Sequence, residues 1–348
     1  MIDFRYHLVS IVAVFLALAI GLVVGAIALK PGATAALDKA SRFADNKINS
    51  QRTQIREQQN QINSDEQFAQ ASASRLLAGQ LTGQQVVLVT SPGADSATVS
   101  GITTDLKLAG AKVTAQAQLQ PAFFDTSGTT ENSLDALAQR LAPPTVTLGQ
   151  PTATPTPSLG SGIAGQQDAA QVIAAALVSA NGTDLPADQT RDILTGFAQQ
   201  GYLQVSSTGS GTPTQATLAV VVIPNTPPSS GDTDPANLAL LAVAEQLKLA
   251  SRGVVLAGSY PGSGPGSAID ELIHGNTGIQ MSSVDNANSA AGQIQVAWAL
   301  SAVLAGHKPA AYGTNAGRVL TPPATPSATP SPSATPSPSA TSTRKSHG

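Results

Sequence analysis

From Leu8 to Leu29 the chain reads LVSIVAVFLALAIGLVVGAIAL, twenty-two residues without a charge. As a helix this stretch rises roughly 33 Å, enough to cross a hydrocarbon core. A buried helix seldom stays apolar on every face, and a secretory signal has a shorter apolar run. The pattern predicts an uncleaved transmembrane helix; cleavage near the small residues Gly25-Ala26-Ile27-Ala28 is the alternative. The pattern then changes. Between Ala33 and Leu77 there is neither glycine nor proline, and Ile48, Ile55, Ile62, Ala69 and Leu76 recur every seven residues. That spacing predicts a helix roughly 65 Å long with one apolar stripe. The positions four residues before each are Ala44, Gln51, Gln58, Asp65 and Ser72, so the second seam is polar. Two readings stand: a parallel coiled-coil dimer or higher homo-oligomer paired through Ile48, Ile55, Ile62 and Leu76, held by the high local concentration of anchored chains, or a single solvated helix.

Beyond Gly79 and Gly83 the periodicity is that of an α/β fold. Val86 to Val89 is a short continuous apolar run, as buried parallel strands are. A helix from Ser96 to Leu108 and a strand from Ala111 to Ala115 complete a βαβ unit. Leu134 to Leu141 is a short helix stopped by Pro143-Pro144, with Val146 to Leu148 as a short strand. Helices follow at Ala169 to Ala180 and Ile193 to Gln199, with a short extended piece at Tyr202 to Val205. The βα pattern then repeats: strand Thr217 to Ile223, helix Asn237 to Ala250 with Leu238, Leu241, Leu247 and Leu249 on its apolar side, strand Gly253 to Ala257. A helix from Ala268 to Ile273, a last strand Ile279 to Ser282 and a last helix Ala290 to Leu304 close the domain. The fold class expected is α/β, a Rossmann-like or flavodoxin-like three-layer ectodomain.

The division expected is 1–30 for a cytoplasmic stub and the transmembrane helix, 31–80 for a coiled-coil stalk, and 84–320 for the α/β ectodomain, its two halves joined near 150–166. Pro151 to Pro157 alternates Thr and Pro as a linker would, and 321–348 is a Pro/Ser/Thr tail with no large apolar residue before Ser342, expected to be disordered. Charge at the two ends of the apolar helix is nearly balanced: Arg5 and His7 with Asp3 on one side, Lys30 on the other. The 48 residues from Ala33 to Gln80 carry six Lys/Arg and five Asp/Glu, and no later apolar run is long enough to span. A single pass with the C-terminal domain outside the cytoplasm, in the cell envelope, is the expected topology.

Composition narrows the functions. A charged fraction of 11% and a net charge of −3 exclude a basic-patch nucleic-acid binder. The absence of cysteine removes disulfides, thiol catalysis and zinc fingers. Ser91-Pro92-Gly93-Ala94-Asp95 carries one glycine where a dinucleotide fingerprint needs three, and no cofactor is expected. The loop Gly258 to Gly266 sits between a strand and a helix, but it lacks a Gly-Lys-Ser/Thr ending and reads as a flexible surface loop. Asp270 and His274 share a helix face, a piece of a hydrolase triad, yet no G-x-S-x-G elbow surrounds Ser259. No enzymatic activity is expected. For a soft metal such as copper the inventory is His7, His274, His307, His347, Met1 and Met281, of which His274, Met281 and His307 are the candidates able to meet in the fold. Asp285-Asn286 follows the last predicted strand at its C-terminal end, where open α/β sheets place ligands; the bland reading is an Asx turn before the last helix.

Phe4-Arg5-Tyr6-His7-Leu8-Val9-Ser10 followed by the apolar helix, and Met281-Ser282-Ser283-Val284-Asp285-Asn286 with Ala291-Gly292, resemble the MctB-type family of actinobacterial envelope proteins. These are termed copper transport outer membrane proteins. The resemblance implies a part in copper efflux and homeostasis, described for the family as channel-like. Some relatives are similar to scaffolds of cell separation and envelope remodelling, partnering other envelope proteins through a coiled coil and a soluble domain. One apolar helix encloses no pore by itself, and the buried runs lack the alternation of a membrane barrel.

Overall fold

The computed structural model describes residues 4–149, 162–180, 185–207, 211–226, 234–275, 277–314 and 316–320. The expected linker at Pro151 to Pro157 and the expected tail from Thr321 lie outside the described residues. The chain forms two compact units, Met1–Gln67 and Phe68–Gly348.

The first unit is one helix. Helix α1, Phe4–Leu77, runs as a single element through Pro31 and into the start of the second unit. Its segment Tyr6–Ile27 is twenty-two residues of high mean hydropathy with none of that surface covered by protein. Further along, Leu37, Phe43, Ile48, Ile55 and Ile62 are also exposed.

The second unit is a seven-stranded mixed sheet with helices on both faces. Strands β1 (Gln85–Thr90), β2 (Lys112–Leu119), β3 (Leu203–Ser207), β4 (Leu218–Val222), β5 (Gly253–Ala257), β6 (Ser282–Val284) and β7 (Ala311–Tyr312) lie in the order β3-β2-β1-β4-β5-β6-β7. Every neighbouring pair is parallel except β2 with β3. Strand side chains alternate between faces, and the core divides accordingly. Val87, Val89, Val221 and Leu256 pack with helices α3 (Gly128–Leu141), α4 (Ala164–Leu177), α5 (Ala187–Gln199), α6 (Pro235–Ala250) and α7 (Ala268–His274). Val86, Leu88, Val220 and Val255 pack with α2 (Ser96–Leu108), α8 (Ala290–Leu304) and the end of α1. Ala73, Leu77 and Leu81 are buried there, Ala69 and Leu76 pack on the same cluster, and Trp298 Nε1 donates to the Leu76 carbonyl at 3.2 Å. Leu76, expected on the stalk's pairing seam, is thus engaged by its own domain.

Four local expectations are corrected. Val146 to Leu148 forms no strand; Val146 N closes a turn onto the Pro143 carbonyl at 2.9 Å, and Val146 and Leu148 cap the core as side chains. The strand expected at Ile279 to Ser282 begins at Ser282, because Ile279 and Met281 fill the core while the buried serines carry the ladder. β7 has two residues and did not stand out as a strand, and β3 runs two residues past the extended piece expected at Tyr202 to Val205. Leu249 of α6 is exposed instead of facing the core.

Candidate functional site

Parallel strands aim their C-terminal ends at one edge of the sheet, and the helix that follows each strand begins there. The orphan N–H groups of those helix starts attract anions unless the chain supplies its own acceptor. Here it does. Asp95 caps α2, its carboxylate accepting from Thr98 N at 2.8 Å and from Thr98 Oγ1 at 2.8 Å. The Thr98 backbone N–H first, and then its hydroxyl, hold the Asp95 carboxyl below its usual range. Asp234 caps α6 through Ala236 N at 2.9 Å, Ser267 caps α7, and Ser289 caps α8 through Gly292 N at 3.0 Å. The donors a phosphate would use are taken by side-chain oxygens.

Asp285 and Asn286 stand just past β6. Asp285 is 4% exposed, and its carboxylate accepts from Thr314 N at 2.7 Å and Ala316 N at 3.0 Å. Its own backbone N–H donates to Tyr312 and its carbonyl accepts from Ser263 Oγ at 2.8 Å. The residue therefore latches the segment after β7 and the loop after β5 to the end of β6. Gly313 makes room for it: a Cβ at Gly313, which has φ +120°, would lie 2.1 Å from Asp285 Oδ1. Asn286 takes the Asx-turn position only in part, for Ser289 is the cap of α8 and its N–H and hydroxyl both bond the Asn286 carbonyl. A Cβ on Gly292 would stand 2.0 Å from that carbonyl oxygen, so the α8 start must be glycine for the approach to occur. The two separated pieces Asp285-Asn286 and Ala291-Gly292 are thereby one packed unit.

Two cavities open along this edge. The first, about 290 Å³, lies between the ends of β1 and β4 and is lined by Pro92, Pro121, Phe124, Ile223, Pro224 and Leu240. The second, about 490 Å³, is lined by Tyr260, Ile273, His274, Asp285 and Arg318 among others.

The loop Gly258 to Gly266 is not the open surface loop its composition suggests. Ser259, Gly262, Ser263 and Gly264 are buried, and Ser263 N→Ser259 O (3.0 Å) and Gly264 N→Pro261 O (3.0 Å) stitch it. Asp270 closes it, Oδ2 accepting from Gly266 N at 2.7 Å. Asp270 Oδ1 lies 2.8 Å from His274 Nδ1, with the imidazole 74% exposed. The Asp-His pair predicted from spacing is therefore formed. The nearby serine hydroxyls are otherwise engaged: Ser259 donates to Asn225 Oδ1 at 2.8 Å, and Ser263 donates to the Asp285 carbonyl at 2.8 Å. Of the metal candidates, His274 lines the larger cavity, Met281 is 6% exposed inside the core, and His307 is exposed beyond α8. Among the described residues no three His, Asp or Glu side chains cluster as metal ligands.

Residues 1–323 match the family described as Copper transport outer membrane protein, MctB. The chain belongs to the MctB family. The match takes in the apolar helix, the long helical region and the whole α/β unit, ending just past the last described residue. No curated protein matches the chain. In this MctB family member the sequence reading missed Arg318 and Tyr260, which share a cavity with His274 although 58 residues separate Tyr260 from Arg318. Neither position carries a local motif, so only the fold brings them together.

Proposed function

We propose that the chain is a non-catalytic, membrane-anchored cell-envelope protein that contributes to copper efflux and copper homeostasis, with copper as its cargo. The family match over residues 1–323 carries this reading. The apolar helix Tyr6–Ile27 supplies the anchor, and the C-terminal unit stands on the extracytoplasmic side, the topology favoured by a single early span before a long polar helix. The ectodomain is flavodoxin-like: counted over the parallel strands alone, the order β2-β1-β4-β5-β6 is the 2-1-3-4-5 order of that fold, with β7 added at one edge. The domain division runs 1–30, 31–80, 84–320 and 321–348. His274, oriented by Asp270, presents an exposed imidazole, as does His307, while Met281 lies in the core.

A second reading is a scaffold or regulator of envelope remodelling or cell separation. Exposed Ile48, Ile55 and Ile62 support it, because an apolar stripe at heptad spacing favours pairing of two anchored copies or a helical partner. A copper dose series separates the two. A strain without the protein should grow less well as copper rises and recover on complementation; growth indifferent to copper, with a division defect instead, would favour the scaffold.

A further inference from the structure

We propose that the cavity between α7, the loop after β5 and the segment after β7 binds a small carboxylate carrying an apolar arm. The cavity holds about 490 Å³, the size range of small-molecule sites. Its apolar wall is Ile269, Ile273 and the Tyr260 ring, with Tyr260 67% and Ile273 43% exposed, an outlay of apolar surface beside a buried loop. The charges in the wall are not equivalent. Both Asp270 oxygens are engaged, one by Gly266 N and one by His274, and both Asp285 oxygens accept backbone N–H groups of Thr314 and Ala316. Arg318 differs: among the described residues its guanidinium makes no ion pair and no hydrogen bond.

Arg318 is nevertheless placed by design of the fold. Its backbone carbonyl accepts from Gly313 N at 2.9 Å, and the Asp285 carboxylate accepts from Thr314 N and Ala316 N in the same stretch of chain. A guanidinium presents a planar fork that matches a carboxylate with two hydrogen bonds. His274 lines the same cavity, and in the tautomer whose Nδ1–H donates to Asp270, Nε2 is free to accept an N–H or O–H of the same ligand. The apolar arm then covers Tyr260 and Ile273. Asp285 acts as a positioning residue, through Arg318.

The test is calorimetric titration of the full-length protein in zwitterionic-lipid nanodiscs, with empty nanodiscs as the blank. The probes are N-acetyl-leucine, 4-methylpentanoate and N-acetyl-leucinamide. The two acids should bind and the amide about tenfold more weakly or not at all. Arg318→Gln should remove the difference between acid and amide, and Tyr260→Ala should weaken both acids. Equal affinity for the two acids identifies a free carboxylate as sufficient; preference for N-acetyl-leucine identifies a peptide C-terminus. Absence of binding by either acid, equal binding of acid and amide, or undiminished acid binding in a folded Arg318→Gln variant would overturn the proposal.

Discussion

Replacing Asp105 by Asn should stabilise the ectodomain at neutral pH and leave it unchanged in acid. Asp105 lies in the last turn of α2, 7% exposed, beside a cavity of about 320 Å³ shared with Gln70, Ser100 and Gln293. No basic group lines that cavity. Burial pushes its carboxyl up from 3.8 to about 6, and the carbonyl end of the helix acts in the same direction. At about 1.4 kcal/mol per pH unit the gap between 3.8 and about 6 corresponds to about 3 kcal/mol of lost stability. Solvent admitted by the cavity screens part of this, leaving about 1–2 kcal/mol. The sign follows from proton binding: between pH 3.8 and about 6 the folded state holds a proton that the unfolded chain has released, so stability falls as pH rises. Well below pH 3.8 both states are protonated and the cost vanishes; well above about pH 6 it is complete. Urea denaturation of wild type and Asp105→Asn, followed through the Trp298 fluorescence at about pH 3 and about pH 7.5, reads the difference directly. The variant should gain about 1–2 kcal/mol at the higher pH and almost nothing at the lower. A variant less stable than wild type at neutral pH, or a gain independent of pH, would refute the reasoning.

Other expectations follow from packing and pairing. Gly292→Ala places a methyl against the Asn286 backbone carbonyl and should cost about 2–4 kcal/mol, whereas Gly101→Ala meets only the end of the Gln293 side chain, which can swing away, and should cost under about 1 kcal/mol. Paired thermal melts check the contrast, and equal losses would count against the packing described. Trp298→Phe should lose about 1 kcal/mol with the bond to Leu76, measured by urea titration. Because the chain has no cysteine, Ile55→Cys gives a clean cross-linking probe. In membranes it should form a disulfide dimer far faster than Arg56→Cys; equal rates would sink pairing through that stripe.

Long apolar patterns were legible in the sequence, and short or polar ones were not. Val86 to Val89 and Thr217 to Ile223 declared themselves because a strand buried on both faces must be apolar throughout. Ser96–Leu108 and Ala290–Leu304 were read to their end residues, and in the structure Asp95 caps the first and Ser289 the second. β6 was placed three residues early because its serines look like loop, and the parallel ladders to β5 and β7 are what make them strand. At the site, Asp285 was found through its place after a strand, and the Asp270-His274 contact through helical spacing. The latch that Asp285 forms across to Thr314 and Ala316 has no sequence signal, since its partners are backbone amides 29 and 31 residues away. Composition also misjudged the Gly258 to Gly266 loop, whose glycines serve close packing: a Cβ on Gly262 would lie 2.0 Å from the Pro224 carbonyl oxygen.

A member of the MctB family that contributes to copper efflux limits the copper held by the cell. Cell-associated copper, measured by mass spectrometry after growth in moderate copper, tests it in a strain lacking the protein and in the same strain carrying it back. Excess copper is expected in the first and a return to the parental level in the second. Equal copper in both strains would contradict it.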